Sequence, residues 1–201
     1  LLQNGRRPSA IASDGREGPL SRARATARAC GCFERMSFRL CDGLSGIAPE
    51  EVDALVIAGM GGETIANILE AAPWVKEKDF PIILQPMSTQ AELRGWLWRN
   101  GFLCLREKTV LEGETLYSII LARQGGAVPM TPAEEWAGRQ YPGMEDPLRG
   151  LLLDHLLGRV RRALDGMARS RAPAEARRRE LEQVLEGLME MRKEWDAWQQ
   201  R

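Results

Sequence analysis

The stretch Val56-Ile57-Ala58-Gly59-Met60-Gly61-Gly62-Glu63-Thr64-Ile65 constrains the fold of this chain more than any other. An apolar run ends in glycines on both sides of a methionine and turns at once into a helical pattern. A continuous run of this kind is expected where a strand is buried on both faces in a parallel sheet. Glycines at its end mark backbone that takes an unusual conformation or is approached closely, with the sharp turn into a helix as the simplest cause. A strand feeding a helix through glycines is the building unit of open α/β sheets, whose ligands bind outside the carboxyl ends of the strands.

The same punctuation recurs along the chain. Residues 8–13 form a short apolar stretch ending at Asp14, and Pro19 reads as a first helical residue with Gly31 as the stop. Leu20, Ala23, Ala27 and Cys30 fall on one face of that helix. Residues 36–41 alternate as a strand and end at Asp42-Gly43. After the run at 52–58, a helix is expected from about Gly62, with Ile65, Ile68, Leu69 and Ala72 on one face. Residues 81–85 read as another buried strand. Thr89 and Glu92 have the spacing of a capping box in front of Leu93, Trp96 and Leu97, and Asn100-Gly101 closes that helix. Residues 102–111 and 115–122 read as a hairpin joined across Glu112-Gly113-Glu114. Strands alternating with helices and ending in a hairpin predict an α/β fold, mostly parallel, with helices on both faces.

The character changes after Gly125-Gly126, so the expected division is 1–126 for the sheet-bearing part and 127–201 for a linker and helical part. Residues 128–147 are rich in proline and glycine and read as irregular. Leu153, Leu156, Val160, Ala163 and Met167 follow 3,4 spacing, as do Leu181, Val184, Leu188, Met191, Trp195 and Trp198. With a break near Ser170 and Pro173, this predicts an antiparallel coiled-coil hairpin.

Composition limits the function classes. Lysine plus arginine number 28 and aspartate plus glutamate 28, so any surface for nucleic acid has to be local. No run of about 18 apolar residues and no signal-peptide pattern occurs, which predicts a cytoplasmic protein with no membrane partner. Cys30 and Cys32 are spaced too tightly for a zinc knuckle, Cys104 falls in a strand, and His155 has no second histidine to join it, so no metal is expected. A monomer is the simplest expectation.

Three strands deliver glycine or an acid at their carboxyl ends: Asp14-Gly15, Asp42-Gly43, and Ala58-Gly59 leading to Met60, Gly61 and Gly62. In an open sheet these three are expected to line one crevice. A carboxylate there accepts hydrogen bonds from ribose hydroxyls or from an exocyclic amine, which suits an adenosine moiety.

The segments IASDGREGPLSRA, RLCDGL, VDALVIAGMGGETIANIL, IILQPMSTQAELRGWLWRNGF and LYSIILA together resemble the bacterial tRNA adenine-N1 methyltransferases that modify adenine 22. AGMGG, LQP and the LRxWL pattern carry the resemblance over roughly residues 1 to 125. It implies a class I Rossmann-like domain with a C-terminal coiled coil, S-adenosylmethionine as cofactor and tRNA as partner. By that resemblance Asp14, with Gly15, receives the cofactor ribose, and Asp42 and Gly43 form the adenine-side loop. Ala58 and Gly59 adjoin the cofactor, and Gly59, Met60, Gly61 and Gly62 form the loop beside the transferable methyl group, with cofactor and flat target base both close to the backbone. Family members begin with a strand and a loop of the type Asp-Ile-Gly-Ser-Asp-His, which has no counterpart ahead of Leu1. The expectation is an N-terminally incomplete record rather than a non-catalytic remnant.

Around the turn of the helical hairpin, Arg159, Arg161, Arg162, Arg169, Arg171, Arg177, Arg178 and Arg179 stand against only Asp165 and Glu175. Phosphate contacts there would supply affinity for tRNA without reading sequence, the alternative being a solvated helix face. Two rivals stand beside the methyltransferase: an RNA-binding protein without chemistry, and a dehydrogenase, against which no Gly-x-Gly-x-x-Gly fingerprint is found.

Overall fold

A computed structural model describes residues 2–169 and 175–200, and within it the chain forms two compact units: Leu1–Val52 with Asn67–Val75, and Asp53–Ala66 with Lys76–Arg201.

In the first unit β1 (Ala10–Asp14) and β2 (Met36–Leu40) pair in parallel, with Ala10 opposite Met36 and Asp14 opposite Leu40. The crossover between them is α1 (Glu17–Ala29), which buries Leu20 and Ala27, whereas Ala23 is half-buried and Cys30 exposed. Its start falls two residues earlier than Pro19, which occupies the third helical position. The first helical N–H groups have no partner in the helix, so a proline is tolerated there as well as at the first position. Gly31, with φ +65°, reverses the chain after the helix.

The second unit holds a four-stranded sheet in the order β3-β4-β6-β5. β3 (Leu55–Gly61) and β4 (Ile82–Ser88) are parallel, and β5 (Phe102–Glu112) and β6 (Thr115–Gln124) form the expected hairpin, with Gly113 at φ +60° in its turn. The run at 52–58 is not buried on both faces. Leu55 and Ile57 are buried while Val56 is 56% exposed: successive side chains point to opposite faces, and only the face bearing Leu55 and Ile57 is packed. α2 (Gly62–Glu70) follows β3 without a loop, and α3 (Gln90–Arg99) follows β4, closed by Asn100 and by Gly101 at φ +86° as the sequence suggested.

Residues 128–147 are not wholly irregular. α4 (Pro132–Ala137) begins with Thr131, whose hydroxyl accepts from the Glu134 N–H at 3.2 Å while the Glu134 carboxylate accepts from the Thr131 N–H at 2.8 Å. A reciprocal cap with proline at the first helical position stabilises so short a helix. α5 (Arg149–Arg169) and α6 (Glu175–Gln199) run antiparallel: a side chain on Gly150 would meet Trp195 at 3.3 Å, and Arg192 pairs with Asp154 at 2.8 Å. Their seam buries Leu153, Leu156, Val160, Leu181, Val184, Leu188, Met191 and Trp195, but Ala163 is exposed. The two helices are not alone. Ala133 and Ala137 of α4 belong to the same buried cluster, and Gly187 of α6 leaves room for Ala133, whose Cβ would stand 2.6 Å from an added Cβ. Ser170 and Pro173, where the hairpin was expected to turn, lie outside the described residues.

Candidate active site

In the first unit the carboxyl ends of two neighbouring strands carry the two candidate acids. β1 ends on Asp14, and the Cys41 N–H donates to the Asp14 carbonyl at 3.1 Å, which carries the pairing one step past β2 and sets Asp42 at the same edge. Asp14 Oδ1 accepts from the Arg16 N–H at 2.8 Å, so the carboxylate is oriented by backbone and Oδ2 remains for a ligand. Asp42 is exposed in a turn closed by the Ser45 N–H donating to its carbonyl at 3.0 Å. Gly15 has open space, its nearest approach being Cys41 O at 3.9 Å, whereas Gly43 has φ +53° and its missing Cβ would stand 3.1 Å from Ile68. Two acceptor groups at one edge, one held by a single N–H, fit a ligand with a vicinal diol and an amine; S-adenosylmethionine has both.

In the second unit the glycine run at the end of β3 has causes within the protein itself. Gly59 has φ +79° with nothing within 4 Å of its missing Cβ, so its conformation alone demands glycine. A Cβ on Gly62 would lie 2.1 Å from the Thr89 carbonyl oxygen, so here backbone crosses backbone. Gly61 faces hydroxyls, with Ser88 Oγ at 3.1 Å and Thr89 and Thr64 Oγ1 at 3.7 and 3.8 Å from that position. Ala58 and Met60 are exposed in β3, whose pairing with β4 breaks step between them.

Thr89 overturns the capping-box reading. Its backbone is left-handed, φ 48° and ψ 43°, and its side chain makes no cap to α3. Instead Thr89 Oγ1 accepts from the Glu63 N–H at 3.2 Å and so serves the start of α2, while its carbonyl accepts from Leu93 at 3.2 Å. Thr89 is the one non-glycine residue at positive φ among the described residues, a costly state for a β-branched side chain. Gln85 was also missed: its Oε1 accepts from the Gly59 N–H at 3.0 Å, across neighbouring strands. A polar residue in the middle of ILQP was the available signal.

The arginines of the hairpin are spread along α5 and α6. Arg159 lies over the Trp136 ring at 5.6 Å; Arg161, Arg162 and Arg169 are exposed. Arg177 pairs with Glu180 and Arg178 with Glu182, each at 2.9 Å, and Arg179 Nε lies 3.4 Å from the Glu175 carbonyl. Arg171 lies outside the described residues. Burial first, and the Glu107 carboxylate next, push the Cys104 thiol up to about 12. Among the described residues no cluster could hold a metal ion, and no helix is long and apolar enough to cross a membrane.

A strand that ends in glycines over the start of a helix, beside a polar residue from the next strand, is one arrangement among many in α/β enzymes, and comparison with known proteins decides between them. Residues 1–120 match the methyltransferase domain family. The chain belongs to that family. Over 122 residues it is 34% identical to the tRNA (adenine(22)-N(1))-methyltransferase of Bacillus subtilis (strain 168), a match that covers 61% of this chain and about half, 51%, of that protein. A candidate tRNA (m1A22) methyltransferase from Streptococcus pneumoniae, solved in complex with S-adenosyl-L-methionine, is 26% identical with a TM-score of 0.79, over 96% of this chain and 85% of that one. The B. subtilis m1A22 tRNA methyltransferase shares the fold at 24% identity and a TM-score of 0.73, over 98% of this chain and 84% of that one. Membership of the methyltransferase domain family sets the dehydrogenase reading aside.

Proposed function

We propose that the protein transfers a methyl group from S-adenosylmethionine to N1 of an adenine in tRNA, at position 22 as in its B. subtilis relative. The observation that carries this reading is the 34% identity to that named enzyme over 122 residues, beside the match of residues 1–120 to the methyltransferase domain. In this reading Asp14 and Gly15 hold the cofactor ribose, Asp42 and Gly43 lie along its adenine, and Ala58 and Gly59 adjoin it. Gly59, Met60, Gly61 and Gly62 form the wall past which the base approaches. The sheet-bearing part, 1–126, carries the chemistry, and the arginines of 127–201 hold tRNA through its phosphates.

The reaction suits a site with so few ionisable groups. The cofactor supplies an electrophilic sulfonium methyl, and adenine N1 in unpaired form is a neutral nucleophile with its lone pair free. Placement in line therefore supplies most of the acceleration, and no strong base is called for. What this chain contributes is orientation. Gln85 fixes the Gly59 amide, and the Thr89 hydroxyl fixes the Glu63 amide. N1 is hidden in a base pair, so the adenine has to be unpaired or turned out before it reacts.

Methylation at N1 destroys the Watson–Crick edge, so primer extension on treated tRNA stops at the modified position. The expected result is a stop at adenine 22 that depends on S-adenosylmethionine and disappears when guanine replaces that adenine. A cofactor-dependent stop at another base, or none with the Asp14 and Gly61 positions intact, would overturn the proposal.

A further inference from the structure

Past Leu84 the sheet of the second unit opens like a fork. β4 pairs with β6 only through Ile82, Ile83 and Leu84, and Pro86 brings no N–H to continue that ladder. β5 and β6 stay paired as far as Glu112 and Thr115. Between the prongs lies a pocket of about 290 Å³ lined by Gln85 and Met87 from β4 and by Val110, Glu112, Tyr117 and Ile119 from the hairpin. Gln85 is also the residue that accepts from the Gly59 N–H at 3.0 Å, so the pocket and the glycine end of β3 share one side chain.

We infer that this pocket receives the target base, an adenine turned out of its stack; the assignment rests on the methyl transfer proposed above. Met87, Val110, Tyr117 and Ile119 offer a thioether, a phenol ring and branched carbons, the surfaces on which a flat aromatic ring packs. Met87 is 53% exposed and Val110 36%, large apolar groups that a bound ring would cover. Two polar side chains set the choice of ring. A Glu112 carboxylate only accepts, so it suits the N6 amine of adenine and opposes the O6 of guanine or the O4 of uracil. Gln85 has committed its oxygen to Gly59, and its amide nitrogen, 3.4 Å from Pro86 O, is a donor for a ring nitrogen.

The same carboxylate fits the course of the reaction. The bond that forms joins adenine N1 to the methyl carbon, and the one that breaks joins that carbon to sulfur. The N1 lone pair makes the new bond, the electrons of the old one stay on sulfur as a neutral thioether, and the positive charge appears on the purine ring. No proton has to leave. A negative charge beside the ring favours that product and the transition state leading to it.

Methyl NMR on the full chain labelled at methionine tests this directly, because Met87 reports from inside the pocket. Millimolar adenosine is expected to move the Met87 methyl signal by ring current, and uridine to leave it in place. The cation 1-methyladenosine is expected to bind at least tenfold more tightly than adenosine, and Glu112→Gln to bring the two to parity while adenosine still moves Met87. Met87→Trp should fill the pocket and lower tRNA methylation at least a hundredfold with S-adenosylmethionine affinity unchanged. A Met87 signal blind to adenosine, or equally moved by uridine, overturns the assignment, and so does a tryptophan variant that methylates as before. If instead an apolar segment of another protein covers this face, no nucleoside moves Met87, which also overturns it. Stops at adenine 22 with a blind Met87 would sink the pocket alone; a responsive Met87 with methyl groups mapped to another position would sink the proposed reaction instead.

Discussion

At the end of β3 the chain makes room by removing side chains, whereas around α4 it fills room with two of the largest it has. Gly62 lets the Thr89 carbonyl pass within 2.1 Å of where a Cβ would be. Arg94 and Arg149, by contrast, are 1% and 2% exposed. Arg94 donates from Nη1 to the carbonyls of Glu135 and Trp136, both at 2.9 Å, and grips the Glu107 carboxylate with Nε and Nη2. Arg149 donates to the carbonyls of Ala137 and, at 2.9 Å, Gly138. Four consecutive carbonyls at the end of a six-residue helix are thus taken by two guanidinium groups, beside the glycine at φ +73°, Gly138, that closes it. The first region is held by backbone with side chains removed, the second by buried charge, paired with a carboxylate at Arg94 and hydrogen-bonded to neutral oxygens at Arg149.

The largest effect expected of this contrast is at Arg94. Arg94→Met keeps length and apolar bulk but leaves Glu107 and two carbonyls without their donor. Removing one partner of a buried ion pair costs about 3 to 5 kcal/mol. Denaturant unfolding should show that loss, and a variant as stable as the parent would mean that water replaces the guanidinium.

Next comes a pair of substitutions that separates the two reasons for glycine. Gly62→Ala forces the α2 start away from Thr89 and is expected to cost about 3 kcal/mol, the upper end for overpacking. Gly59→Ala meets nothing and is strained only by φ +79°, at about 1 to 2 kcal/mol. If the two cost the same, the close approach to Thr89 is not what selects Gly62.

A smaller effect belongs to the cap of α4. Thr131→Ala removes the hydroxyl that accepts from Glu134, at about 1 kcal/mol. Because α4 carries Ala133 and Ala137 into the cluster with α5 and α6, the loss should appear in unfolding of the helical bundle. An unchanged midpoint would show that the arginines alone hold α4.

These regions also differ in how far the sequence exposed them. Glycines at Gly59, Gly101 and Gly113 announce positive φ, and the 3,4 spacing of α5 and α6 announces their seam, since both signals are local. Thr89 misled because the spacing Thr-x-x-Glu is a local pattern, while its hydroxyl is claimed by Glu63, 26 residues away in the chain. α4 was written in Thr131-Pro132 and Glu134 but submerged among the prolines and glycines around it. Arg94 and Arg149 gave no sign, because arginine is ordinarily exposed and its burial depends on partners 9 to 42 residues distant. The same holds for the fork past Leu84: Pro86 was visible, but the side chains it sets opposite one another come from three strands.

The smallest effect on stability, and the one that bears on tRNA, is at the turn of the hairpin. Arg177 and Arg178 are about half exposed and paired along one helix with Glu180 and Glu182. Replacing Arg177, Arg178 and Arg179 with glutamine keeps helix propensity and leaves Leu181, Val184 and Leu188 untouched. Exposed pairs at this spacing contribute about 0.3 to 0.5 kcal/mol each, so unfolding should barely shift. Binding has a different scale. If the three guanidinium groups meet phosphates, the slope of log affinity against log salt should flatten by up to about 0.9 for each phosphate no longer neutralised. Glu180→Gln with Glu182→Gln sharpens the test, since it frees the same arginines from their local partners and should tighten tRNA binding at low salt. An unchanged slope in the triple variant, with no tightening in the double one, would leave the basic turn as a solvated helix end and move the RNA surface elsewhere on the protein.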